Sequence, residues 1–143
     1  MKRVSIVFLL LLVFWGNDVW AERLSVTASI ANVRSGPGTG HEVLWRVERY
    51  HPLSVIKTTG PWHHFRDYEG DTGWIHKSLV GTTPTVITAS ATSNVRSGPG
   101  TTHKVLSSVE SGVPFKVLKR RGNWVHVQHG DGDREWIHKS LLW

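Results

Sequence analysis

The chain repeats itself, and that repeat constrains its fold more than any other feature. Asn32-Val33-Arg34-Ser35-Gly36-Pro37-Gly38-Thr39 returns 62 residues later as Asn94-Val95-Arg96-Ser97-Gly98-Pro99-Gly100-Thr101. The same offset relates His41 to His103, Val43-Leu44 to Val105-Leu106, Pro52 to Pro114, Gly60 to Gly122 and Trp62 to Trp124. It still holds where Trp74-Ile75-His76-Lys77-Ser78-Leu79 reappears as Trp136-Ile137-His138-Lys139-Ser140-Leu141. Upstream, Val26-Thr27-Ala28-Ser29 matches Ile87-Thr88-Ala89-Ser90 with an offset of 61, so the second copy carries one extra residue ahead of Asn94. Self-similarity at this length means two copies of one small domain. Their bounds are residues 24–81 and 85–143, and residues 82–84 form the link. Three residues reach at most about 10 Å, so the copies must lie side by side.

Within a copy no apolar stretch keeps helical spacing beyond two turns, whereas short β-branched runs alternate with turn residues, which predicts an all-β domain. Pro114 to Lys119 and Trp124 to Gln128 read as strands flanking Arg120-Arg121-Gly122-Asn123. Gly130-Asp131-Gly132 then turns the chain toward a strand from Glu135 to His138. Five short strands are expected per copy, curled into a closed or nearly closed barrel, because closure hides the edges of so small a sheet.

Ahead of the copies, Met1-Lys2-Arg3 gives a basic start and Val4 to Trp15 holds Ser5 as its sole polar residue, followed by Val19-Trp20-Ala21. This predicts a secretory signal peptide over residues 1–21, cut after Ala21. The apolar run rises only about 18 Å as a helix against a hydrocarbon core of about 30 Å, so no stable membrane anchor is expected. The product is expected to be periplasmic or secreted. It would carry 15 basic and 10 acidic side chains. For an exported chain that excess suits anionic wall polymers rather than nucleic acid.

The chain has no cysteine, which excludes disulfides, thiolate metal sites and thiol nucleophiles together. Nine histidines invite a metal, but His41, His51, His63, His64 and His76 lack ligand spacing on a common element. His63 and His64, adjacent on a strand, point to opposite faces. No metal and no cofactor is expected. No Ser-His-Asp spacing or paired-carboxylate setting stands out, so no enzyme activity is expected.

The Asn-Val-Arg-Ser-Gly-Pro-Gly-Thr openings, the Val-Leu pairs, Trp62 and Trp124, and the closing Trp-Ile-His-Lys-Ser-Leu segments resemble the bacterial SH3-like domains known as SH3b. The resemblance covers nearly all of the chain after residue 21, twice. It implies tandem small SH3-like β-barrels and a non-catalytic module binding cell-wall peptidoglycan, its peptides or a partner protein. Such modules are often fused to a hydrolase, which is not seen here. The alternative is an envelope adaptor or inhibitor that never touches wall polymer.

The signature residues have structural readings beside the functional ones. Arg34 and Arg96 are placed to donate to loop carbonyls, or to grip a stem-peptide carboxylate. Trp62, Trp74, Trp124 and Trp136 recur in both copies and are expected to pack in the core or half-buried, with ligand stacking by the same rings as the alternative. Differences between copies point to the ligand. Trp45, Arg46, Arg49, Tyr50 and His51 stand where the second copy has Ser107, Ser108, Ser111, Gly112 and Val113. The expected ligand site therefore lies on the first copy, at Arg34, Ser35, His41, Trp45, Arg49 and Tyr50, with the second copy as a brace. The competing reading packs Trp45 against the second copy.

Overall fold

The structure, a computed structural model, describes residues 21–143; the signal peptide predicted for residues 1–21 falls, but for Ala21, outside them. The chain folds into two tandem small β-barrels. The first comprises β1 (Arg23–Val26), β2 (Ile30–Arg34), β3 (Val43–Glu48), β4 (Pro52–Thr59), β5 (Trp62–Arg66), β6 (Thr72–His76) and the two-residue β7 (Val80–Gly81). The second comprises β8 (Thr85–Ile87), β9 (Thr92–Arg96), β10 (Val105–Glu110), β11 (Pro114–Arg121), β12 (Trp124–Gln128) and β13 (Arg134–His138). The strands follow the orders β3-β2-β6-β5-β4-β1-β7 and β10-β9-β13-β12-β11-β8, and every pairing is antiparallel.

The expected five strands per copy become seven in the first and six in the second. The extra ones lie at the ends, where β1 pairs with β4 and with β7. A two-residue strand carries too little alternation to be read from sequence. In the second barrel an isolated bridge between Thr88 and Leu142 takes the place of β7, and Ile87 and Trp143 exchange both backbone hydrogen bonds.

Alternation along the strands builds each core. In β2, Ala31 and Val33 point inward while Asn32 and Arg34 are half exposed. Leu24, Val26, Ala31, Val33, Val47, Leu53, Phe65 and Ile75 fill the first barrel. Val86, Val95, Phe115, Val125, Val127 and Ile137 fill the second. Each large side chain among them contributes about 1.5–3 kcal/mol by burial. The register shift after Val55 in β4 recurs after Val117 in β11, so even the bulge is duplicated.

The link is docked rather than loose. Ser25 Oγ donates to Thr83 O at 2.8 Å, and Val117 N donates to Pro84 O at 2.9 Å. The Arg23 guanidinium stacks over the Trp143 ring at 4.2 Å, joining the two barrels. Among the described residues no helix is long and apolar enough to cross a membrane.

Candidate functional site

Each barrel presents the same groove. It begins with the loop after β2, where Arg34 Nη1 donates to Thr39 O at 3.1 Å and to His41 O at 3.0 Å. Arg96 repeats this with Thr101 O and His103 O, both at 3.0 Å. The His41 ring lies so close over Gly36 that a Cβ there would sit 2.5 Å from it, and His103 covers Gly98 in the same way. The structure thus gives Arg34 and His41 their first role inside the loop. Arg34→Ala is expected to lower stability by about 1 kcal/mol, or several degrees in a thermal melt. Arg34→Lys should not restore it, since an ammonium lacks the planar fork.

The opposite wall comes from the strand-to-turn joint after β6. His76 caps the 3-10 turn Lys77–Leu79, its Nδ1 accepting from Ser78 N at 3.1 Å and from the Ser78 hydroxyl at 2.7 Å. Accepting there leaves the ring proton on Nε2. Trp62 meets the His76 ring edge-on with centroids 5.1 Å apart. His138, Ser140 and Trp124 reproduce the arrangement at the same 5.1 Å. Between loop and turn the first groove, about 510 Å³, is lined by Asn32, Arg34, Thr39, Trp62, His76 and Leu79 among others. The second, about 310 Å³, is lined by Asn94, Arg96, Thr101, Trp124, His138 and Leu141, the same six at the repeat offset. The first also has Arg46, whose Nε donates to Asn32 Oδ1 at 3.1 Å and whose counterpart is Ser108. An indole, an imidazole and a guanidinium around a shallow trough suit an extended peptide or a sugar ring with a carboxylate.

The six residues singled out on the first copy do not converge. Arg34 lines this groove, and Ser35 and His41 belong to the loop beside it. Trp45 instead packs half-buried on the first core and lines a separate cleft of about 550 Å³. Its terminal ring carbon lies where a Cβ on Gly73 would be 3.4 Å away. Arg49 bonds Ser29 Oγ at 3.4 Å and faces a third cleft together with Pro114, His129 and Gly130 of the second barrel. Tyr50 sits in the turn after β3 with φ of 73°, where the second copy has Gly112 at 85°. A left-handed tyrosine costs about 1–2 kcal/mol that a glycine does not.

Residues outside the predicted ligand site make up the rest of the cleft beside Trp45. His51 is 8% exposed, with Nε2 buried and without a hydrogen-bond partner. Burial, opposed by the Glu69 charge, lowers its imidazole to about 4. Asp67 Oδ1 accepts from Glu69 N at 3.0 Å and Asp71 N at 2.9 Å, while burial raises its carboxyl. Burial, then the hydrogen bond to and charge of Glu69, push the Tyr68 phenol up to about 12. The available signal was in the repeat, where Asp67 and Tyr68 correspond to His129 and Gly130 of the other copy.

Two of the remaining histidines pack on tryptophan. His64 stacks on Trp74 at 4.6 Å and His126 on Trp136 at 4.5 Å, with Lys57 and Lys119 Nζ each 5.5 Å from those rings. His63 Nδ1 and Thr58 Oγ1 are hydrogen-bonded at 2.8 Å. Among the described residues no group of three His, Asp or Glu is placed to hold a metal ion. In the same residues the one ion pair is His129 with Asp131 at 3.2 Å. No Lys or Arg there is paired with a carboxylate.

A family model described as bacterial SH3 domain matches residues 27–81 and again 89–143. The chain is similar to YrvJ of Bacillus subtilis, named as an N-acetylmuramoyl-L-alanine amidase, with 26% identity over 109 residues, covering 68% of this chain and 21% of that protein. It is similar to LytH of Staphylococcus epidermidis, named as a cell wall amidase, with 33% identity over 52 residues, covering 36% of this chain and 18% of LytH. The chain spans about a fifth of the length of these curated relatives. Among solved structures, an NlpC/P60 family protein from Bacillus cereus aligns over 85% of this chain and 56% of its own, at 15% identity and a TM-score of 0.38.

Proposed function

The chain belongs to the bacterial SH3 domain family in both of its repeats, and from that premise we propose that it is a non-catalytic exported protein that binds cell-wall peptidoglycan or its peptides. The observation that carries this reading is the duplicated groove, in which six lining residues recur at one offset and form the same trough twice. Relatives named for wall amidases match over the repeat segments and not over the greater part of their own length, which supports a binding rather than a catalytic role for those segments. The unpaired basic side chains favour an anionic polymer outside the membrane. Two grooves of like lining on docked barrels give avidity, so binding by the pair exceeds binding by one.

The test is co-sedimentation of the purified protein with wall sacculi at low and moderate salt. Asn32→Trp and Asn94→Trp each place an indole in one groove at a position outside the core. Either alone is expected to weaken binding at least about tenfold through lost avidity, and both together to abolish it. Undiminished sedimentation of the double variant would remove the grooves from the reading. No sedimentation of the unaltered protein would favour an envelope protein as the partner instead.

A further inference from the structure

The cleft beside Trp45 is not required by the fold. The second barrel builds the same strands with Ser107, Val113, His129 and Gly130 where the first has Trp45, His51, Asp67 and Tyr68. Its chemistry also runs against the rest of the molecule. The chain carries a formal net charge of +6, yet this cleft gathers Asp67, Glu69 and Asp71 on one turn beside two aromatic side chains. The nearest basic group on its rim, Arg46, is engaged by Asn32 Oδ1.

Two further observations point to an occupant. His51 is more than nine-tenths buried in the wall of the cleft, and its Nε2 has no hydrogen-bond partner. A buried nitrogen left unpaired costs free energy that a donor from a ligand would recover. The second barrel closes one end through Gly112, to which the Tyr68 hydroxyl comes so near that an added Cβ would lie 2.7 Å from it. Gly112 is thus the second barrel's contribution to a cleft otherwise lined by the first.

We propose that this cleft binds a side chain ending in an aliphatic ammonium group, such as the free amine of a peptide. Its methylenes lie between Trp45 and Tyr68, and its charge faces Glu69 and Asp71. Asp67, held by the two backbone N–H groups, fixes the turn that presents those carboxylates. An ammonium has three donors, enough for the two carboxylates and for His51 Nε2. The aromatic faces add cation attraction in a site partly withdrawn from water. The inference stands apart from the wall-binding reading, because none of Trp45, Tyr68, Glu69 and Asp71 lines either groove.

The probe is lysine blocked at both backbone ends, compared with the same compound acetylated on Nε, which keeps the length and removes the charge. Binding is followed by NMR at the Trp45 indole and the His51 ring of the purified protein. The free amine is expected to give saturable shifts in the millimolar range, and acetylation to weaken them at least tenfold. Glu69→Gln and Asp71→Asn should each weaken binding about five- to tenfold while the spectrum stays folded, and Trp45→Ser should do the same. Asn94→Trp, in the groove of the second barrel, should leave the response unchanged. Equal binding of the acetylated compound, shifts that survive loss of both carboxylates, or no saturable response would each overturn the proposal.

Discussion

Gly73→Ala is expected to destabilise the first barrel by about 1–3 kcal/mol, the range for overpacking a filled core. A Cβ on Gly73 would sit 2.3 Å from Cγ1 of Val33, which is fully buried, and 3.4 Å from the Trp45 ring. Val33 has no free space to retreat into. The second barrel shows what the same backbone does without this constraint, since it carries Glu135 in place of Gly73 and Ser107 in place of Trp45. Large over small in one copy answers small over large in the other. Gly73→Glu should therefore be at least as damaging alone, and adding Trp45→Ser should recover part of the loss. Residues in contact couple by about 0.5–3 kcal/mol in such a cycle. Denaturant titration of the four proteins measures it, and strictly additive effects would mean that Trp45 and Gly73 do not share the space.

That exchange also marks where the sequence stopped being legible. The repeat, the barrel class, the turn glycines and the tryptophan packing could be read because each is stamped twice on the chain. Trp62 and Trp136 are buried, and Trp74 and Trp124 are half-buried. Arg34 is one case where the structural option, donation to loop carbonyls, is visible as geometry. A contrast between copies does not say which differences are compensated within a core, and Trp45, half-buried on the first core, is one that is. Tyr50 misled for a related reason, because its position is defined by a left-handed turn that the second copy meets with Gly112. His51 followed Tyr50 in the sequence contrast without any hint of burial, since alternation in so short a turn does not say which side faces inward. The cleft with Gly112 depends on how the barrels dock, and no pattern within either copy encodes that.

His51 makes the stability of this protein fall in mild acid, and the size of the effect follows from its burial. The imidazole is held near 4 in the folded protein against about 6.5 when exposed. Between these values the unfolded chain binds a proton that the folded chain refuses, so stability rises with pH across that window and is complete above it. Lowering the pH from 7 is expected to remove about 2 kcal/mol by pH 5 and about 3 kcal/mol by pH 4. The groups facing His51 do not cancel this. Tyr68 is un-ionised throughout, and the Glu69 charge that partly sustains the imidazolium is already counted in the lowered value. Asp67 acts with the opposite sign, because its raised carboxyl gains protons earlier in the folded state, but that matters only at the acidic end. His64 and His126, lowered by burial and by Lys57 and Lys119, add to the His51 trend. His51→Val installs the residue the second barrel already uses at Val113, and it should flatten most of the slope between pH 7 and 5 whatever it does to stability at pH 7. Denaturant midpoints at four pH values decide it: an unchanged slope in His51→Val would show that the buried imidazole is not the group that titrates.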